Sequence, residues 1–241
     1  MYIIYRYHDS ESQGKKKIRT KEQCLGNFVR NVTNGNHTVY FLADNNNLSD
    51  KGQELLKKAC TYIGSGAHIV LKDCSSASKS HMAAITMLSE ELSYVQNYEH
   101  VYILEDDYLH SVEFGKYLSE GLEIFDYVSL YDHPDKYMWP SPNPELECLN
   151  FRGAENTKVF TTKSSHWKLT NSTTMTFAAK ASTLRSDKII MDKYCKGAYP
   201  QDYELFVELR KCGRTIGTCI PGLATHTEVA WLSPHKDWIN L

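Results

Sequence analysis

Residues 101–108 read VYILEDDY, a short apolar run that ends in three consecutive carboxylates, Glu105, Asp106 and Asp107. An apolar run with no polar alternation suits a strand buried on both faces. Adjacent acids at its end repel one another unless a cation is present. Side chains alternate along a strand, so Glu105 and Asp107 are expected on one face and Asp106 on the other. Two carboxylates on one side suit Mg2+ or Mn2+, which also leave positions for water and phosphate. The competing reading is a solvated acidic turn, and the cost of an unneutralised cluster favours the metal.

Upstream of this run the chain alternates. Residues 2–7, 37–43, 68–71 and 100–104 read as strands. Between them, residues 21–32 carry Leu25, Phe28, Val29 and Val32 at helical spacing, Ser49 or Asp50 is placed to cap a helix to about residue 63, and residues 78–94 form a third amphipathic stretch. Strand–helix repetition with continuous apolar strands predicts an α/β fold, a mostly parallel sheet covered by helices on both faces. Ligands in such sheets sit beyond the carboxyl ends of the strands. Here those ends are polar: His8-Asp9, Asp44-Asn45, Asp73-Cys74-Ser75 and the three acids.

Downstream, residues 113–125 and 202–211 read as helices, and 127–131, 168–178 and 215–219 as strands. Residues 132–166 hold four of the seven prolines and read as one long loop, and 221–226 as a shorter one. No repeat or linker divides the chain. The expectation is one domain in two functional halves, residues 1–110 and 111–241.

The 241 residues are 41% hydrophobic, enough to bury a full core. A net charge of -2 gives no basic field for nucleic acid. The cluster Lys15-Lys16-Lys17-Ile18-Arg19 is local and reads as a solvated loop. No apolar run has membrane-spanning length. Residues 1–5 are apolar but too short for a signal peptide, and Arg6 and Asp9 follow. Seven cysteines without CxxC spacing suggest neither a zinc knuckle nor a disulfide framework, so a reduced, cytoplasmic setting is expected. The sequons at Asn31, Asn36, Asn47 and Asn171 are then coincidental.

VYILEDDY resembles the acidic metal-binding motif of nucleotide-sugar glycosyltransferases of the GT-A fold, and the order of the elements around it fits. PQDYELFVEL (200–209) is similar to the segment that carries the catalytic carboxylate in inverting members. PGLATHTE (221–228) is similar to the late loop whose His closes the metal site. The chain also resembles the small glycosyltransferases encoded by large algal viruses, which would place it in a host cytoplasm. The resemblance implies a Rossmann-like sheet, a nucleotide diphosphate sugar donor (UDP being the commonest) bound by residues 1–110, a glycan or glycoprotein acceptor bound by residues 111–241, and Mn2+ or Mg2+. It also implies Asp107 as the direct metal ligand and His226 as a second one. The family pattern is Asp-any-Asp, whereas this chain has Glu105-Asp106-Asp107. Either Glu105 replaces the first Asp and reaches the ribose or a metal-bound water, or Asp106 and Asp107 are the working pair.

Other residues carry two readings each. Asp202 opens a helix as an N-cap does, or serves as the base that deprotonates an acceptor hydroxyl, with the helix end lowering its pKa. The resemblance favours the base, with Glu204 as the nearby alternative. His226 as a neutral imidazole suits Mn2+ better than Mg2+. By the same resemblance Asp44 would meet the base or ribose, Tyr7 and His8 would clamp the base, and Arg6 would meet the phosphates. Residues 74–80, CSSASKS, read first as a Ser-rich helix cap that lacks a P-loop pattern, and the resemblance implies Lys79 there as a donor contact. Trp167, beside His166 and with Trp139, is an acceptor candidate, because aromatic faces pack on sugar C–H surfaces. Trp231 and Trp238 belong to a lid or a packed tail. Two other function classes compete. One is a nucleotidyltransferase acting on a sugar phosphate, for which Gly14-Lys15-Lys16-Lys17 is the only counterpart of the expected N-terminal Gly-rich basic loop. The other is a non-catalytic protein that binds sugars through a cation.

Overall fold

The computed structural model describes residues 1–9, 14–33, 35–138, 149–151 and 154–241, with the backbone alone at 149–151 and 154. Trp139 lies outside the described residues. The first part follows the alternation read above: β1 (Tyr2–Tyr7), α1 (Lys21–Val32), β2 (Thr38–Asp44), α2 (Asp50–Ile63), β3 (Ala67–Lys72), α3 (Ala77–Ser89) and β4 (His100–Glu105). A hydroxyl starts each of these helices. Thr20 accepts the Gln23 N–H while the Gln23 side chain returns to the Thr20 N–H, Ser49 accepts from Gly52, and Ser76 accepts from Lys79. Such caps satisfy backbone donors that have no partner within the helix.

The second part contributes β5 (Tyr108–His110), α4 (Gly115–Gly121), β6 (Tyr127–Ser129), β7 (Leu149–Phe151), β8 (Ala154–Glu155), β9 (Val159–Thr161), β10 (His166–Leu169), β11 (Phe177–Lys180), α5 (Ala181–Tyr194), α6 (Asp202–Lys211), β12 (Ile216–Ile220) and β13 (Ala224–His226). The main sheet runs β3-β2-β1-β4-β11-β6-β12-β10-β9. β1 to β4 are parallel neighbours, β6 and β12 are parallel, and β11 and β10 run against their neighbours. The expected α/β fold with a mostly parallel central sheet is therefore present. Alternation along the strands sorts the core into two layers. Ile3, Tyr5, Phe41 and Leu104 face α1, α2 and α4, while Ile4, Leu42, Val101 and Ile103 face α3, α5 and α6.

Several boundaries move. The third helix stops at Ser89, and the stretch read as 113–125 forms only Gly115–Gly121. The strand expected over 168–178 is two strands, because the buried polar side chains of Thr170, Asn171 and Ser172 between them are held by side-chain hydrogen bonds. The proline-rich loop contains a 3-10 turn at Pro134–Tyr137 and short strands, and the late loop ends as β13. Helix α5 has no counterpart in the sequence reading: Ala181, Leu184 and Met191 face the core, but Ile189 on the same helix is exposed and blurs the pattern. Among the described residues no helix is long and apolar enough to cross a membrane.

Close packing makes one glycine on β12 indispensable. An added Cβ at Gly217 would lie inside contact distance of the Phe125 ring. Gly217→Ala is expected to cost about 1–3 kcal/mol, read as a lower urea midpoint at unchanged slope. An unchanged midpoint would show that Phe125 moves aside without strain.

Candidate active site

Two cavities open at the carboxyl ends of the parallel strands. One, of about 270 Å3, is lined by Glu105, Asp202, His226, Tyr131 and His133 among others. The second, of about 250 Å3, is lined by Tyr7, His8, Asp44, Asn47 and Cys74.

Pairing of β5 with β13 sets Tyr108 opposite His226, and the Thr227 N–H donates to the Asp107 carbonyl at 3.0 Å. The imidazole is thereby delivered to the acids, with Nε2 3.0 Å from Asp107 Oδ2. The Glu228 N–H donates to His226 Nδ1 at 3.2 Å, so in the neutral ring the proton sits on Nε2 and is donated to Asp107.

Each of the three acids also has a basic side chain of its own. Arg6 Nη1 is 3.7 Å from Glu105, Lys21 Nζ is 3.2 Å from Asp106, and Lys17 Nζ is 3.1 Å from Asp107. Asp106 further accepts the His8 N–H at 2.5 Å. Burial pushes the Glu105 carboxyl up against the pull of Arg6. Burial also pushes Asp106 up to about 7, against Lys21 and with the Asp107 charge. Burial would raise Asp107 as well, but the hydrogen bonds and charges of His226 and Lys17 hold it well below the usual carboxylate range.

This arrangement corrects three expectations. Lys17 is not in a solvated loop: its side chain is only 9% exposed and lies on Asp107. Lys15 lines the larger cavity and pairs with Glu228 at 2.9 Å. Asp106 lines neither cavity and instead ties the end of β1 to α1, so it does not serve as a donor contact. Arg6 is fully buried, donating to the Ala77 carbonyl at 2.8 Å and to Ser80 Oγ at 3.2 Å, which turns it away from any phosphate.

The chemistry of the donor set tests the expected Mn2+ or Mg2+. Among the described residues no three His, Cys, Asp or Glu stand in an arrangement able to hold a metal ion. Asp107 Oδ2 already receives both Lys17 and His226. His226 Nε2 would have to surrender its proton to ligate, while Nδ1 is held as an acceptor by Glu228. The residues present do not fit the ion in this arrangement.

Asp202 is the first residue of α6, and Gln201 at the cap position makes no side-chain cap bond. The Asp202 carboxylate accepts the Tyr203 N–H at 2.8 Å. Burial raises its pKa, outweighing the Tyr203 N–H and the nearby His133, so the helix end does not lower it as expected. Glu204 is exposed and lines neither cavity. The structure thus brings Glu105, His226 and Asp202 into one cavity from three distant parts of the chain. It adds Tyr131, His133 and Tyr199, which nothing in the sequence placed there except the loop position of His133, and Trp231, read from the sequence as part of a lid or a packed tail.

In the second cavity Asp44 Oδ1 accepts the Asn46 N–H at 2.7 Å, while Oδ2 is buried with no hydrogen-bond partner. His8 Nε2 is likewise buried without a partner. Burial, with Arg6 and Lys21 nearby, lowers the His8 pKa to about 4, which keeps the ring neutral. Buried polar atoms of this kind are costly unless a ligand or water meets them. Tyr7 lines the same cavity and donates from its hydroxyl to Asp9. Lys79 lines neither cavity; it is exposed and pairs with Asp73 at 2.9 Å. Trp167 is fully buried against Phe125 and Gly121, so it is a core residue rather than an acceptor contact. Trp231 lines the larger cavity, whereas Trp238 packs with Cys24 and Leu109.

No protein-family profile matches the sequence, and no curated protein sequence matches it. Among solved structures the chain is similar to a nucleoside-diphosphate-sugar pyrophosphorylase from Vibrio cholerae RC9, with a TM-score of 0.50 and 11% identity over 90% of this chain and 91% of that one. It is also similar to the galactosyltransferase LgtC in complex with donor and acceptor sugar analogs, with a TM-score of 0.47 and 8% identity over 86% and 69% of the two chains. An active-site mutant of LgtC gives a TM-score of 0.47 and 10% identity over 91% and 72%. At these identities the likeness is one of fold.

Proposed function

We propose that the protein is a glycosyltransferase moving a sugar from a nucleoside diphosphate donor, UDP first, to a hydroxyl of a glycan or glycoprotein acceptor. One observation carries this. A cavity holding Glu105, His226 and Asp202 shares the strand ends with a second cavity whose Asp44 Oδ2 and His8 Nε2 lack partners. The second cavity takes the nucleoside, with Asp44 accepting from a base N–H or a ribose hydroxyl. The first takes the sugar and the acceptor.

In this reading Asp202 accepts the proton of the acceptor hydroxyl as its oxygen forms a bond to the anomeric carbon. The bond from that carbon to the diphosphate breaks, and its electron pair leaves on the phosphate oxygen. A single displacement inverts the anomeric carbon. The raised pKa of Asp202 makes it a stronger base than an exposed Asp. The departing diphosphate needs fixed positive charge in the same cavity.

One observation favours a second reading, nucleotidyl transfer. The basic loop after β1 does reach the larger cavity, through Lys15, as that chemistry requires. The fold is also shared with a protein described as a nucleoside-diphosphate-sugar pyrophosphorylase. Product analysis separates the readings. A panel of UDP-sugars with simple glycoside acceptors is expected to release UDP. Pyrophosphate release from UTP and a sugar 1-phosphate would move the assignment to the second reading. Binding of sugars with no turnover of either kind would leave only the non-catalytic one.

Asp44→Ala is expected to weaken UDP binding about tenfold or more, the range for losing a hydrogen bond to a charged group. Calorimetry reads this directly. Unchanged affinity would remove the nucleoside from the second cavity.

A further inference from the structure

The acids at 105–107 were expected to need a metal because an unneutralised cluster is costly. The cluster is neutralised by the protein itself. Arg6 serves Glu105, Lys21 serves Asp106, and Lys17 with His226 serves Asp107, at separations of 3.0 to 3.7 Å. A divalent ion approaching Asp107 meets an ammonium already on its Oδ2, and like charges at such distances repel strongly.

Lys17 is also held there by backbone. Lys17 bridges Glu228 in antiparallel fashion, the Ile18 N–H donates to the Thr227 carbonyl at 2.9 Å, and the Val229 N–H donates to the Lys16 carbonyl at 2.9 Å. The basic segment is thus stitched as an extra strand-like edge onto the residues that follow β13. The same edge puts Lys15 on the wall of the larger cavity. These bonds fix the position of the charge in advance, which is what a leaving diphosphate requires.

We infer that the protein's own lysines stand in place of a divalent metal ion at this site: Lys17 neutralises Asp107, and Lys15, on the wall of the larger cavity, supplies positive charge to a nucleoside diphosphate. The inference rests on the reading that a nucleoside diphosphate binds here, but its core can be tested without one. Manganese alone, titrated against the protein and read by electron paramagnetic resonance, is expected to stay free at millimolar concentration. Uptake of one Mn2+ by the parent protein, lost in Asp107→Asn, would overturn the inference.

With UDP as the probe, calorimetry in excess chelator is expected to match calorimetry with Mn2+. Lys15→Met is expected to bind UDP several-fold more weakly, while Lys15→Arg stays near the parent. Circular dichroism shows whether each variant folds, and retained binding by the Arg variant separates lost charge from lost structure. Binding of UDP only when Mn2+ is added would also overturn the inference. If UDP binds under neither condition, the nucleotide reading of the site falls, and the manganese titration still decides what neutralises Asp107.

Discussion

Asp202→Asn is expected to lower sugar transfer on the order of a hundredfold to ten-thousandfold, with UDP affinity unchanged. Asn has the same shape, and its amide oxygen can still accept the Tyr203 N–H that Asp202 accepts at 2.8 Å. The start of α6 is therefore preserved and only the ability to take a proton is lost. The pH dependence provides a second readout. Burial raises the Asp202 pKa, so its proton leaves at a higher pH than from an exposed Asp. The protonated form is no base, so the acid limb of transfer is expected above the ordinary aspartate range and absent from the Asn variant. The sign for stability runs the other way. The folded chain holds this proton more tightly than the unfolded chain, so stability contributed by Asp202 falls as pH rises through the folded pKa. At neutral pH the Asn variant is then expected to be at least as stable as the parent. A variant that is fully folded and inactive fits a base; near-normal transfer would remove Asp202 from the chemistry.

The fold was legible because its signals are local. Apolar strands and capped amphipathic helices in β1 to β4 lie within short windows, and the caps at Thr20, Ser49 and Ser76 formed where hydroxyls precede periodic segments. The acids at a strand end also marked the right place, since Glu105 lines the larger cavity together with Asp202 and His226. What neutralises them was not legible. Lys17 and Asp107 are 90 residues apart, and only the stitching of residues 16–18 to residues 227–229 brings the ammonium to the carboxylate. Residue type misled in two places. Trp167 looked like an exposed platform but fills the space between Phe125 and Gly121, because a large ring stabilises either a core or a sugar site. Residues 168–178 read as one strand, yet the side chains of Thr170, Asn171 and Ser172 serve a buried polar network instead.

That network carries the last large expectation: Lys168→Met should destabilise the protein by about 3–5 kcal/mol, the range for removing one partner of a buried ion pair. Lys168 Nζ lies 2.8 Å from Asp132 Oδ1 and 3.8 Å from Glu155 Oε2, and all three side chains are at most 4% exposed. It also donates to the Tyr137 hydroxyl at 2.8 Å, which in turn donates to Asp132 Oδ2 at 2.8 Å. Lys136 extends the clamp by donating to Asn171 at 2.9 Å and Ser172 at 2.6 Å. Together these bonds fasten residues 132–137 onto the end of β10 and the residues after it. The fastened segment presents His133 to the larger cavity beside Tyr131. Met fills the volume of the lysine stem but leaves the Asp132 carboxylate buried without its ammonium. Urea denaturation reads the cost, and Lys168→Arg, which keeps the charge, should recover most of it. The exposed pair of Lys58 with Glu54 provides the contrast, since Lys58→Met removes an ion pair that water already screens. A loss from Lys168→Met no larger than about 1 kcal/mol, the value of a surface pair, would mean that Asp132 finds another partner. Residues 132–137 would then owe their position to something other than this clamp.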